Sequence, residues 1–183
     1  MSFQLEPLAI PDVVLVRPKR HVDARGSFQE TYRRSAFIAA GLPGDFAQDN
    51  LARSSRGVLR GLHYQLPPAA QGKLVGVVAG RIWDVAVDLR SGSGTYARWV
   101  GRTLDAEAGE WLWIPAGFAH GYVVLSDVAD VAYKVTAEYD AKLDRGVRWD
   151  DPAMGIDWPV REPVLSAKDQ SLPTLAAAEN TFR

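Results

Sequence analysis

The sequence predicts one mainly β domain, a sandwich or barrel with a few short helices. Sixteen glycines and eleven prolines separate short apolar stretches, which is typical of many strands joined by turns. No alternation of strand and helix patterns is present, and this argues against a doubly wound nucleotide-binding fold. The length of 183 residues suits a single domain that spans 1–183.

The N-terminal third predicts two strands and a helix. A short β-branched run predicts a strand over 13–16, and 27–33 is a second candidate strand. The stretch 35–41 predicts a short helix, because Ser35 can cap its N-terminus and Gly41 can follow its C-terminus.

From Phe46 onward the pattern is mostly β. In 81–89 the apolar residues alternate with polar ones, so Asp84 and Asp88 fall on the face opposite the valines. In the last long run Tyr133 shares a face with valines. The predicted strands are 73–79, 81–89, 98–104, 111–114, 122–125 and 128–139.

The proline-rich segment after Asp150 predicts a tail that wraps the surface, with a short helix near 175–179.

Composition narrows the function classes. The net charge is −1, which gives no overall field favouring nucleic acid or anionic lipid. The chain contains no cysteine, so disulfides, thiolate nucleophiles and cysteine zinc sites are excluded. The N-terminus has no signal-peptide pattern, and no apolar run approaches the ~20 residues of a membrane span. We therefore expect a cytoplasmic protein that binds neither nucleic acid nor membrane.

Two glycine- and histidine-containing motifs, 57–80 and 109–120, resemble those of the cupin superfamily, a double-stranded β-helix or jelly roll. Metal cupins place three histidines and a glutamate at four positions of these motifs. The corresponding residues here are His63, Gln65, Lys73 and His120. An ammonium group repels a divalent cation, so we expect a pocket without a metal. A metal-dependent cupin and a non-catalytic sugar-binding cupin are the alternatives from other classes.

A closer resemblance covers nearly the whole chain. The strings that carry it are DARG (23–26), QDN (48–50), GVLRGLHYQ (57–65), QGKLV (71–75), DVAVD (84–88), IPAGFAHGY (114–122), YKVT (133–136) and LSAKD (165–169). In this order they resemble the dTDP-4-dehydrorhamnose 3,5-epimerase family. The resemblance implies a homodimer without metal or cofactor. It also implies inversion of C3 and C5 of dTDP-4-dehydro-6-deoxy-D-glucose, both beside the C4 ketone, in dTDP-L-rhamnose or related deoxysugar biosynthesis.

The resemblance also implies catalytic roles. His63 would be the base, since an imidazole titrates near neutrality. Asp169 would orient it, with Asp84 as the rival partner. Tyr133 would return a proton on the opposite face of the sugar, because a phenol is protonated at neutral pH. Lys73 would stabilise negative charge on the C4 oxygen.

Substrate binding would use a second set of residues. The resemblance assigns nucleotide or sugar contacts to Arg25, Phe28, Glu30, Gln48, Asn50, Arg60, His120, Tyr139, Asp144 and Lys168. Within this set Tyr139 would stack on thymine, and Asp144 stands where the family often has glutamate. Arg25, Phe28 and Glu30 would reach the partner subunit's site through an exchanged N-terminal segment. Related enzymes that invert only C3 or only C5 keep the same His, Tyr and Lys, so a mono-epimerase is the near alternative.

Overall fold

The computed structural model describes residues 3–183 and has a mainly β fold, as predicted. Over these residues the strands in chain order are β1 (Phe3–Pro7), β2 (Val14–Pro18), β3 (Arg20–Asp23), β4 (Gly26–Gln29), β5 (Gln48–Ser55), β6 (Leu59–Gln65), β7 (Lys73–Ala79), β8 (Arg81–Asp88), β9 (Trp99–Asp105), β10 (Trp111–Ile114), β11 (Phe118–Val124), β12 (Val128–Val135) and β13 (Asp144–Gly146). The helices are α1 (Arg34–Ala39) and α2 (Ala167–Gln170). None of the helices within 3–183 is long and apolar enough to cross a bilayer.

Two antiparallel sheets form the barrel. One has the order β1-β2-β10-β7-β12-β5, and the other has the order β13-β6-β11-β8-β9. Apolar side chains from both sheets meet between them: Leu15 and Val131 come from the first sheet, and Ile82 and Phe118 from the second. This shared core means that the sheets pack face to face, which is the predicted jelly-roll architecture.

Strand β8 shows how the alternating pattern is used. Ile82 and Ala86 belong to the core between the sheets, whereas Val85 and Val87 belong to a second apolar cluster on the outer face. Asp84 is fully buried on the inner-facing side of the strand. Both faces are therefore covered, and the polar residue on the inner face has to find hydrogen-bond partners inside the barrel.

The tail after Asp150 covers the outer face of the five-stranded sheet, as predicted. Met154, Leu175 and Phe182 pack in the outer apolar cluster with side chains of β6 and β8. The predicted helix at 175–179 is wrong, because only a single turn forms there. The N–H of Leu175 is bonded to the Asp151 carboxylate instead, and the helix in the tail is α2.

Several element boundaries differ from the predictions. The candidate strand 27–33 shortens to β4, which forms a separate hairpin with β3. Helix α1 begins one residue before Ser35, and no side chain caps its N-terminus, whereas Gly41 follows the helix with φ +76° as predicted. The run 128–139 ends as a strand at Val135, because the next carbonyl groups accept hydrogen bonds from glutamine side chains of the 65–71 region.

Candidate active site

A cavity of about 350 Å³ opens between the ends of the two sheets. Its lining comes from β5, β6, β7, β12 and β13, and from the loop and helix that follow them. The lining residues are Gln48, Asn50, His63, Tyr64, Gln65, Gln71, Lys73, Tyr133, Tyr139, Asp144 and Lys168. All of them except Tyr64, Gln65 and Gln71 were predicted as site residues.

Two of the three residues missed by the prediction, both glutamines, follow from strand periodicity. Gln65 lies two residues after His63 and Gln71 two residues before Lys73, so each shares a side with a predicted residue. Gln65 donates to the carbonyl oxygens of Ala69 and Glu138, and its amide oxygen accepts from the backbone N–H of Asp140. It therefore links the loop after β6 to the loop after β12 at the cavity wall. Applying the period-two rule to the quoted motifs would have found both glutamines.

His63 contacts the carboxylate of Asp169. Its Nε2 lies 2.6 Å from Asp169 Oδ1, although the two residues are 106 positions apart. Burial raises the pKa of Asp169, but the hydrogen bond from His63 and the nearby positive charge outweigh burial and bring the pKa below its ordinary value. Asp169 is therefore ionised at neutral pH and accepts the Nε2 proton, which leaves the lone pair on Nδ1.

His120 has a separate carboxylate partner. Its Nε2 lies 2.8 Å from Asp84 Oδ2, and both side chains are buried inside the barrel. Asp84, the rival partner for His63, thus contacts the other histidine. His63 and His120 lie opposite each other in the ladder between β6 and β11.

Two glycines allow the strands of these histidines to approach closely. A Cβ atom on Gly61 would lie 2.6 Å from the Cα atom of Gly121, and one on Gly121 would lie 2.7 Å from the carbonyl oxygen of Arg60. Gly61 also has φ +127°, a conformation that L side chains rarely adopt. The spacing of the two histidines therefore depends on glycine at both positions.

Lys73 places a buried ammonium group at the cavity. Its side chain is only 8% exposed, and Nζ donates to the backbone carbonyl oxygen of His63 at 3.2 Å. Burial lowers its pKa to about 8, against the opposing effect of the Asp144 and Asp84 carboxylates. Within residues 3–183 no cluster of three or more His, Cys, Asp or Glu side chains could hold a metal ion. The expected absence of a metal remains a prediction, supported by the cation at this position.

Tyr133 provides a half-buried phenol on the same cavity. Burial raises its pKa above the ordinary value, and the guanidinium of Arg60 partly offsets this. The phenol is therefore protonated at neutral pH and can act as a donor. Arg60 does not line the cavity itself; its Nε donates to the hydroxyl of Ser54 at 3.0 Å.

The cavity mouth carries a connected polar network. The hydroxyl of Tyr139 donates to Asp144 Oδ2 at 3.0 Å, and Lys168 forms an ion pair with the same oxygen. Gln48 accepts from the backbone N–H of Tyr139 at 2.9 Å and donates to Asn50 at 2.7 Å. These groups can present donors, acceptors and one aromatic face to a polar ligand.

Three predicted residues lie away from the cavity of their own chain. Arg25 and Phe28 belong to the β3–β4 hairpin; the Arg25 side chain is 89% exposed and pairs with Asp23, and Phe28 is 72% exposed. Glu30 forms an ion pair with Arg33. None of the three lines the cavity of its own chain, and their role in the partner subunit's site remains a prediction.

Comparison with known proteins identifies the family of this chain. The sequence matches the family described as dTDP-4-dehydrorhamnose 3,5-epimerase over residues 7–177. It is 52% identical over 174 residues to the enzyme of that name from Pseudomonas aeruginosa, covering 94% of this chain and 96% of the relative. It is 40% identical over 179 residues to a dTDP-4-dehydrorhamnose 3-epimerase from Streptomyces niveus, covering 97% and 86%.

A solved structure is similar over nearly the same span. The dTDP-6-deoxy-D-glucose-3,5-epimerase of Legionella pneumophila, in complex with dTDP-4-keto-L-rhamnose, superposes with a TM-score of 0.92 at 44% identity, covering 96% of this chain and 94% of that one. The resemblance expected from the motifs is confirmed. This chain belongs to the dTDP-4-dehydrorhamnose 3,5-epimerase family.

Proposed function

We propose that this chain inverts C3 and C5 of dTDP-4-dehydro-6-deoxy-D-glucose and gives dTDP-4-dehydro-β-L-rhamnose. The observation that carries the proposal is the convergence of three groups on one cavity: the His63–Asp169 pair, the Tyr133 phenol and the Lys73 ammonium. An epimerisation beside a ketone needs a base, an acid and a cation, and these residues supply one of each.

His63 removes the proton. Asp169 holds the Nε2 proton, so the Nδ1 lone pair takes the hydrogen from the carbon beside the ketone. As the C–H bond breaks, its electron pair moves into the carbon–carbon bond and the ketone oxygen becomes an enolate. A positioned base of this kind contributes about 10²–10⁴-fold to the rate.

Lys73 stabilises the enolate, and Tyr133 returns a proton to the opposite face. The ammonium is charged below its pKa of about 8 and lies in a buried site, where its interaction with an oxyanion is stronger than in water. Tyr133 donates its phenolic proton to the carbon, which completes the inversion. Solvent then reprotonates the phenolate and takes the proton from His63, so the same groups can act at the second carbon.

The proposal also includes the residues that bind the nucleotide and those that the partner subunit contributes. The residues that line the cavity and would bind the sugar and nucleotide are Gln48, Asn50, Tyr139, Asp144 and Lys168. Arg60 and His120 would add further contacts to the substrate. Arg25, Phe28 and Glu30 would contact the substrate held by the partner in a homodimer. No metal or cofactor takes part. We place the enzyme in the cytoplasm, because a charged nucleotide sugar does not cross a membrane unaided.

Incubation with dTDP-4-dehydro-6-deoxy-D-glucose in D₂O tests the proposal. Deuterium at both C3 and C5, read by NMR, is the expected result. Deuterium at C3 alone would favour the 3-epimerase activity for which the Streptomyces niveus relative is named. No exchange by pure, metal-free protein would exclude the epimerase function. Tyr133→Phe is the companion variant, expected to retain exchange while losing inversion.

Mixing two inactive variants tests the contribution of the partner. His63→Ala and Arg25→Ala would each be impaired as homodimers. In a mixed dimer, one site combines an intact His63 with an intact Arg25 from the other chain, so activity should recover to about a quarter of the wild-type value after random reassortment. If no activity returns although mixed dimers form, the exchanged arm is excluded.

A further inference from the structure

The helix that carries Asp169 depends on the segments at its two ends. α2 has four residues, far fewer than a helix needs to be stable alone. Before it, Val164 N–H donates to Gly57 O at 2.8 Å, and Leu59 N–H donates to Val164 O at 3.0 Å. Ser166 caps the helix by accepting from the N–H of Asp169 at 3.1 Å.

After α2, the chain is bound to the loop that follows β13. Arg148 N–H donates to Pro173 O at 2.8 Å, and Leu175 N–H donates to Asp151 Oδ2 at 2.5 Å. These contacts fix the chain on the far side of Asp169. The segment between the two attachments is short, so a shift at either one moves the helix.

The Asp151 side chain is the polar centre of the second attachment. It is 4% exposed, and its other oxygen accepts from the N–H of Ala153 at 2.9 Å. The guanidinium of Arg148 pairs with the neighbouring Asp150 and not with Asp151. Burying a carboxylate costs free energy unless its oxygens accept hydrogen bonds. If the residue served only to pack, an apolar side chain would be more stable at this position.

We propose that Asp151 is a positioning residue for the reaction: its carboxylate fixes the tail at Leu175 and thereby holds Asp169 against His63. The proposal rests on the proposed function. Misplacement of a catalytic group by about 1 Å can cost about 10²-fold in rate. The 2.6 Å contact between His63 and Asp169 leaves little room for such a shift.

Asp151→Asn tests this role, with Asp150→Asn as the matched control. The asparagine keeps one acceptor but turns an N–H donor toward one of the two backbone N–H groups. We expect kcat to fall about 10-fold or more, with KM within about twofold of the wild type. The control removes a carboxylate from the adjacent exposed position, which is paired with Arg148, and should leave kcat unchanged.

A second step separates positioning from stability. In an Asp169→Ala background, Asp151→Asn should cause no further loss of kcat, because the group that it positions is gone. Multiplied losses in the double variant, or a lower melting temperature with unchanged kcat, would overturn the proposal.

If Asp151→Asn does not fold, Asp151→Glu replaces it. The glutamate keeps both oxygens but displaces them by one methylene, so kcat should fall relative to Asp150→Glu. Wild-type kcat in Asp151→Glu would overturn the proposal. Failure of the proposed function looks different, because the wild-type chain itself would then show no deuterium exchange.

Discussion

The two histidine–aspartate pairs lie side by side in the barrel and are built differently. His63 takes its carboxylate from the tail, and its side chain is 29% exposed to the cavity. His120 takes its carboxylate from the adjacent strand β8, and its side chain is 8% exposed. The difference teaches that His63 can reach substrate and solvent from the cavity, whereas His120 is enclosed beside it in the barrel.

Replacing each histidine with alanine should give the largest contrast. His63→Ala should abolish exchange, with a loss of about 10²–10⁴-fold, because the base is removed. His120→Ala should slow the reaction but retain measurable deuterium exchange, because the base remains. NMR of the substrate in D₂O measures both. Full exchange by His63→Ala would show that the base is assigned to the wrong residue.

Replacing the two carboxylates should affect different properties: the Asp169 substitution the reaction rate, and the Asp84 substitution the stability. Asp169→Asn should lower kcat by about 10²-fold, because the imidazole loses its fixed tautomer and orientation. Asp84→Asn should mainly lower the free energy of unfolding, by about 1–3 kcal/mol, since it disrupts a buried hydrogen bond to His120. Steady-state kinetics and urea unfolding compare the pair. Equal losses of kcat in both would remove the distinction between the two sites.

Lys73 donates to the backbone carbonyl oxygen of His63, and its titration should make both kcat and stability depend on pH. Its pKa in the folded chain is about 8, so kcat should fall as the pH rises above that value. Its pKa in the unfolded chain is higher, so unfolded protein binds more protons between pH ~8 and ~10.5. The free energy of unfolding should therefore rise with pH in that window, by up to about 3 kcal/mol.

Lys73→Met is the control for this pH dependence. It should lose both the alkaline fall in kcat and the lysine contribution to the rise in stability, and it should be more stable than the wild type at pH 7. Urea unfolding at several pH values measures the effect. The same pH dependence in Lys73→Met as in the wild type would assign it to another group.

Tyr122→Phe should have the smallest effect of these substitutions, and it tests the interior of the barrel around His120. The Tyr122 ring lies 6.3 Å from the His120 ring, and its hydroxyl is buried beside the side chain of Ser54. Burial raises its pKa to about 12, so the phenol stays neutral. Removing this one buried hydroxyl should change the free energy of unfolding by about 1 kcal/mol or less and leave kcat unchanged. A large loss of kcat would show that the interior of the barrel takes part in the chemistry.

Local patterns were sufficient for part of the fold. Strands 73–79 and 111–114 were predicted with the boundaries that the structure shows, because their apolar residues end at clear turns. Strand β11 begins at Phe118 and not at 122, since His120 and Gly121 interrupt the apolar pattern while remaining buried. The turn at 175–179 depends on bonds to distant residues, which no local pattern contains.

The site residues also divide into those that local patterns predict and those that depend on contacts between distant positions. Lys73 and Gln65 could be interpreted from their own chemistry, as residues unsuited to a metal. The contact between His63 and Asp169 joins positions 106 apart, so only the resemblance pointed to it. The resemblance favoured Asp169 and kept Asp84 as the rival, because the sequence alone does not show which of the two carboxylates lies beside His63.

The close approach of β6 and β11 sets a rule for engineering. Any side chain at Gly61 or Gly121 would collide with backbone atoms that cannot rotate away. Mutant libraries aimed at new sugar substrates should therefore keep both positions fixed. Diversity is better placed at Gln48, Asn50 and Asp144, whose side chains line the cavity.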